Sequence, residues 1–181
     1  VCDEVYRTLM KMRWQPSLKI IPHYESDPLY IDALVNSIDK KIKEINWKPD
    51  LIIASYHGIP KKYFDKGDPY HCYCHKTTRL ISEKFSSVKI KTTFQSRFGP
   101  QEWLQPYTDK TLENLPKEGV KNVLTICPGF ASDCVETLEE IQIQAKESFL
   151  NSGGENFDMV PCLNDNSDHI TLLNSLIERN I

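Results

Sequence analysis

LIIASYHGIP, residues 51–60, is an apolar run that ends on a histidine. Leu51-Ile52-Ile53-Ala54 shows no polar alternation. Such a run suits a strand covered on both faces, as in a parallel sheet flanked by helices. Gly58 and Pro60 are turn residues and close the strand. A histidine at the carboxyl end of such a strand stands on the rim of the sheet, where open parallel sheets gather their ligands.

The neighbouring segments repeat the strand–helix rhythm. Leu18-Lys19-Ile20-Ile21 reads as a first strand. Leu29 to Ile45 carries Leu34, Val35, Ile38, Ile42 and Ile45 at helical spacing, with Asp27 as cap and Pro28 in the first turn. Residues 51–56 form the second strand, and Lys61 to Pro69 a polar loop. A helix is expected from Tyr70 to Phe85, a third strand from Val88 to Phe94 and a fourth from Val123 to Cys127. Asp133 to Leu150 reads as one long helix ended by Gly153-Gly154. A weak fifth strand holds Met159-Val160. A closing helix spans Asp168 to Arg179, capped by Ser167 or Asp168. Phe94 to Leu115 breaks the rhythm and reads as an irregular surface loop, a length usually reserved for function. The expected fold is α/β: a Rossmann-type parallel sheet of four to five strands with helices on both faces.

The 181 residues suit one domain, and 40% hydrophobic content supports a real core. A formal charge of −3 gives no nucleic-acid footprint. No apolar run is long enough to span a bilayer, which leaves room for peripheral membrane contact only. Six cysteines, at 2, 72, 74, 127, 134 and 162, follow no secreted disulfide spacing, so a reduced, cytoplasmic setting is expected. The chain opens on Val1, not Met, and already in a helical pattern, so it reads as a fragment.

Two strand ends carry unusual chemistry. Ser55-Tyr56-His57-Gly58-Ile59-Pro60 follows the second strand. Cys127-Pro128-Gly129-Phe130-Ala131-Ser132-Asp133 follows the fourth and leads into the long helix. The plainer reading of His57 is a ring that satisfies itself on backbone. Asp133, Glu136 and Glu140 stand at i, i+3 and i+7, on one helical face. Their plainer reading is a capping box, Asp133-x-x-Glu136, on a favourable helix dipole. Facing a cleft, the same row could relay protons or pass a divalent cation. Histidine with carboxylate suits Fe²⁺, Mg²⁺ or Mn²⁺, and zinc binds such groups too. HCYCH, residues 71–75, invites a soft-metal reading, but residues two apart on a helix diverge and no second Cys pair completes four ligands.

Four motifs together resemble the ferrochelatase family. They are Ser55-Tyr56-His57-Gly58-Ile59-Pro60; Gly67-Asp68-Pro69-Tyr70; Ser96-Arg97-Phe98-Gly99 with Trp103-Leu104 and Pro106-Tyr107-Thr108; and Pro128-Gly129-Phe130 through Asp133, Glu136-Thr137-Leu138 and Glu140. The resemblance covers nearly the whole chain, in family order. It implies a chelatase-like fold of two similar α/β halves around a porphyrin cleft. Residues 1–181 would be the carboxyl-terminal half, 1–13 an inter-domain helix, with the amino-terminal half absent.

The implied activity is insertion of Fe²⁺ into protoporphyrin IX, with no organic cofactor. The implied catalytic and metal residues are His57 and Glu136, with Asp133 and Glu140 as an acidic proton or metal path. Tyr56, Trp103 and Phe130 are candidates for the porphyrin wall. Cys134 stands where some members carry histidine, and no cysteine-bearing tail follows, so a [2Fe–2S] cluster is not expected. The alternatives are a chelatase for another tetrapyrrole (coproporphyrin or a cobalt-pathway intermediate) and a non-catalytic metal- or ligand-binding α/β module.

Overall fold

A computed structural model describes residues 2–181. Eight α-helices are assigned: α1 (Cys2–Leu9), α2 (Pro28–Glu44), α3 (Lys61–Asp65), α4 (Tyr70–Lys84), α5 (Thr108–Asn114), α6 (Val135–Leu138), α7 (Lys146–Asn151) and α8 (Ser167–Glu178). A 3₁₀ turn, Leu115–Glu118, follows α5, and a π-helical segment, Glu140–Ala145, lies between α6 and α7. Four strands, β1 (Leu51–His57), β2 (Ile90–Gln95), β3 (Asn122–Ile126) and β4 (Asn156–Met159), form one sheet. Its order is β2-β1-β3-β4, and every pairing is parallel, with His57 opposite Gln95 and Ala54 opposite Ile126.

The sheet is covered on both faces, as the unbroken apolar strands imply. Alternate residues of β1 enter different cores. Ile52, Ala54 and Tyr56 pack with Ile31, Leu34, Ile38 and Ile81 of α2 and α4. Leu51 and Ile53 pack with Leu112 of α5, Ile141 and Phe149. By the same alternation His57 lies on the second face, the one carrying α6, the π-segment and α7.

Local chemistry accounts for the element ends. Asp27 caps α2 by accepting the Leu29 N–H at 2.9 Å, and Pro28 occupies the first turn where no donor is needed. Helix α8 is capped by Asn166, which accepts the His169 N–H at 2.8 Å, rather than by Ser167 or Asp168. The capping box sits one residue later than expected. It is Cys134, whose N–H donates to Thr137 Oγ1 at 3.0 Å, and not Asp133 with Glu136.

Other expectations are corrected. Leu18–Ile21 forms no strand. Leu18, Ile20 and Ile21 are exposed, and no sheet strand lies beside them. The expected amino-terminal helix is the shorter α1, with no buried residue, and its first position, Val1, lies outside the described residues. The polar loop 61–69 contains α3, and the irregular segment 94–115 contains α5. The long helix 133–150 is interrupted. The Gln144 N–H reaches back five residues to the Glu139 carbonyl at 2.9 Å, the signature of a π-turn. Among the described residues no helix is long and apolar enough to cross a membrane.

Candidate functional site

His57 is the last residue of β1 and is half-buried at the carboxyl rim. Its Nδ1 lies 2.6 Å from the Gly58 carbonyl. A carbonyl can only accept, so Nδ1 carries the hydrogen, and in the neutral ring Nε2 keeps a lone pair. The backbone around the ring is pinned. The Tyr70 hydroxyl donates to the His57 carbonyl at 2.9 Å, and the Gly58 N–H donates to the Gln95 carbonyl at 2.7 Å. The ring therefore has little freedom beyond its own torsions.

Two aromatic candidates stand nearby. The Phe130 ring centre is 6.3 Å from that of His57. Trp103 is buried, donates its indole N–H to the Phe98 carbonyl at 3.0 Å, and pairs through its backbone with Pro60. That pairing holds the 96–107 loop against the turn after His57. Tyr56 is placed differently. Strand alternation turns it to the other face, where it is buried and its hydroxyl meets that of Thr78 at 2.9 Å. It also borders a cavity of about 390 Å³ shared with Tyr30, Tyr70 and Phe130.

The three carboxylates occupy three different environments instead of one row. Asp133 precedes α6 and is held by its neighbours: Asn164 Nδ2 donates at 2.8 Å and the Cys162 N–H at 3.1 Å. Burial pushes its carboxyl upward, but these bonds, with one from Thr137, outweigh it and leave the pKa below the usual value. Glu140 receives the Ser96 N–H at 2.7 Å and the Ser96 hydroxyl at 2.5 Å. Ser96 adopts φ +62°, a left-handed conformation that is rare for serine and aims both donors at one carboxylate.

Glu136 is the freest of the three. Its carboxyl is held below the usual range, first by the Cys134 side chain, then by its own backbone N–H, with His57 adding a smaller lowering. Gln95, the register partner of His57, donates its Nε2 to the Glu136 carbonyl at 2.6 Å, which sets the start of the helix on the same rim as the imidazole. The site thus offers an imidazole lone pair and an anionic carboxylate. Among the described residues no three His, Cys, Asp or Glu side chains converge to hold a metal ion. A cation met by His57 and Glu136 would take its other ligands from its substrate partner or from water.

HCYCH lies on α4. Cys72 is exposed and Cys74 is buried, and burial pushes the Cys74 thiol up to about 12, which disfavours the thiolate a metal needs. Two polar residues of the rim, Gln95 and Ser96, escaped the sequence reading as site residues. The register that sets Gln95 beside His57 is their signal, and it requires the strand pairing to be known.

A family model described as Ferrochelatase matches residues 1–181. Ferrochelatases from Rhizobium meliloti and Allorhizobium ampelinum are each 55% identical over the whole chain, which covers 54% and 53% of those proteins. The Brucella anthropi ferrochelatase is 49% identical, and the chain covers 52% of it. The chain spans about half the length of the curated relatives it matches. With a full-length family match and relatives at this identity, the chain belongs to the ferrochelatase family.

Proposed function

We propose that this chain supplies the metallating wall of a ferrochelatase that inserts Fe²⁺ into protoporphyrin IX. Two pyrrole N–H protons leave as the iron becomes bound to all four ring nitrogens, and no organic cofactor takes part. The observation that carries the reading is His57 on the sheet rim, its Nδ1 engaged by the Gly58 carbonyl so that Nε2 keeps its lone pair, with Glu136 held to the same rim through Gln95. His57 accepts a pyrrole proton, work suited to a neutral imidazole near pH 7. Glu136 attracts the dication and helps to strip its water. Asp133 and Glu140, each bound to its own donors, add negative charge on the same side of the rim, and Trp103 and Phe130 supply flat apolar wall.

The opposite wall of the cleft comes from an amino-terminal half of the same protein, joined through α1. The exposed Val5, Tyr6, Met10 and Trp14 on and after α1 support such a covering partner. Six unpaired cysteines support a reducing, cytoplasmic location, and peripheral membrane contact is compatible with it.

The test uses the full-length protein, assayed for porphyrin metallation by the change in absorbance. His57→Ala abolishes turnover. Glu136→Gln lowers it by roughly 100-fold or more, and the melting temperature hardly moves in either variant. Wild-type turnover by Glu136→Gln would reduce that carboxylate to a surface group. Parallel assays with coproporphyrin and with Co²⁺ separate this reading from a chelatase of another tetrapyrrole.

A further inference from the structure

We infer that Gln95 is a positioning residue that locks the acid-bearing helix to the strand carrying His57. Its side chain is buried, with 3% of the residue exposed, at the end of β2 and opposite His57 in register. Every hydrogen-bonding capacity of its amide is used. Oε1 accepts the Ser55 hydroxyl at 2.7 Å and the Cys127 thiol at 3.8 Å. Nε2 donates to the Glu136 carbonyl at 2.6 Å and to the Glu140 carboxylate at 3.3 Å. One amide therefore joins β1 two residues before His57, β3 at its carboxyl end, and the helix at both of its rim carboxylate residues.

The Ser55 hydroxyl continues the network to Thr108 at 2.9 Å, so the anchor is itself anchored. The arrangement divides the acidic residues into two kinds. Glu140 is a tether, bound by Gln95 and Ser96. Glu136 is held through its backbone carbonyl, and Gln95 leaves its carboxylate alone. Gln95 touches neither reacting atom. It sets the spacing between the imidazole and the carboxylate that do the work. Among the other side chains, glutamate has this shape, but it turns an acceptor toward two acceptors.

The kinetic half of this inference rests on the metallation proposed above, and the test separates the two. Gln95→Met is made in the full-length protein and compared with wild type by hydrogen exchange and steady-state kinetics. Exchange is expected to quicken by about tenfold or more across residues 136–145, with β1 and β2 little changed. The kcat for metallation is expected to fall by about 10- to 100-fold, while KM for porphyrin stays within about twofold.

If the variant does not fold, Gln95→Glu carries the same test, since it keeps the size and still accepts from Ser55. Unchanged exchange at 136–145 overturns the lock, whatever the activity. Faster exchange with unchanged kcat, or a raised KM alone, overturns its catalytic use. A wild-type protein that metallates no tetrapyrrole defeats the proposed function, and exchange alone then decides whether Gln95 is the lock.

Discussion

Replacing Gly58 with alanine tests why a glycine follows the rim histidine. A Cβ built there meets the Gln95 carbonyl oxygen at 2.9 Å and Trp103 Cε3 at 3.3 Å. An ordinary contact begins near 3.4 Å, so the pair must open by about 0.5 Å. The obstacle is backbone, and it already accepts the Gly58 N–H at 2.7 Å, so the chain cannot retreat without lengthening that bond. Trp103 is buried and cannot swing clear.

Overpacking of this kind costs about 1–3 kcal/mol. The shift also reaches His57, one residue away. A displacement of 1 Å can cost about 100-fold in rate, so half of that suggests roughly tenfold. The assay is urea unfolding together with metallation kinetics on full-length Gly58→Ala. Gly129→Ala is the control. Its Cβ meets Tyr56 at 3.4 Å and Tyr70 at 3.6 Å, ordinary contacts, so its effect should stay within about 0.5 kcal/mol. If Gly58→Ala matched the control in both stability and kcat, the strand end would have slack and the close-approach argument would fail.

Two further outcomes are expected. Asp133→Asn should destabilise the protein at neutral pH, because the folded state holds that carboxyl below its usual pKa. Such a group stabilises above its unfolded value of about 4, and the contribution fades as pH falls through the lower folded value. The gap between variant and wild type in unfolding free energy should therefore close below about pH 4, and a gap constant with pH would refute the linkage. On the proposed two-walled cleft, the 181-residue chain produced alone should metallate porphyrin at about 1% of the full-length rate or less, since one wall would not be there to enclose the substrate. It should also self-associate through the exposed Met10, Trp14 and Ile20, which sedimentation velocity at several concentrations would detect.

The sheet was legible because its strands are short apolar runs, and the rim rule for parallel sheets then located His57 without a structure. Leu18–Ile21 misled for the same reason: composition marks a segment as able to pair but does not provide a neighbour. Helix α5 was hidden by its seven residues, too short for a 3.6 period to show. Tyr56 and His57 looked alike as rim candidates, because a strand buried on both faces carries no alternation to show which face each takes. The fate of Glu140 was out of reach, since it depends on a serine in a left-handed conformation on another strand's exit.

The π-segment also has a meaning for the numbering of the helix itself. The buried positions Thr137, Ile141, Ala145 and Phe149 recur every four residues. On a regular helix of 3.6 residues per turn, such a series drifts by about 40° per step, or about 120° from first to last. The wider π-turn absorbs that drift and keeps all four against the sheet. A strict four-residue beat of buried positions is thus the written trace of one additional residue in the helix. Deleting a single residue between 139 and 145 would restore ordinary winding and swing Phe149 by about 100° out of its place against Phe157 and Gly154. The reading frame of this helix is shared between its two ends: the residues at the rim keep their places only as long as an aromatic ring at its far end keeps its own.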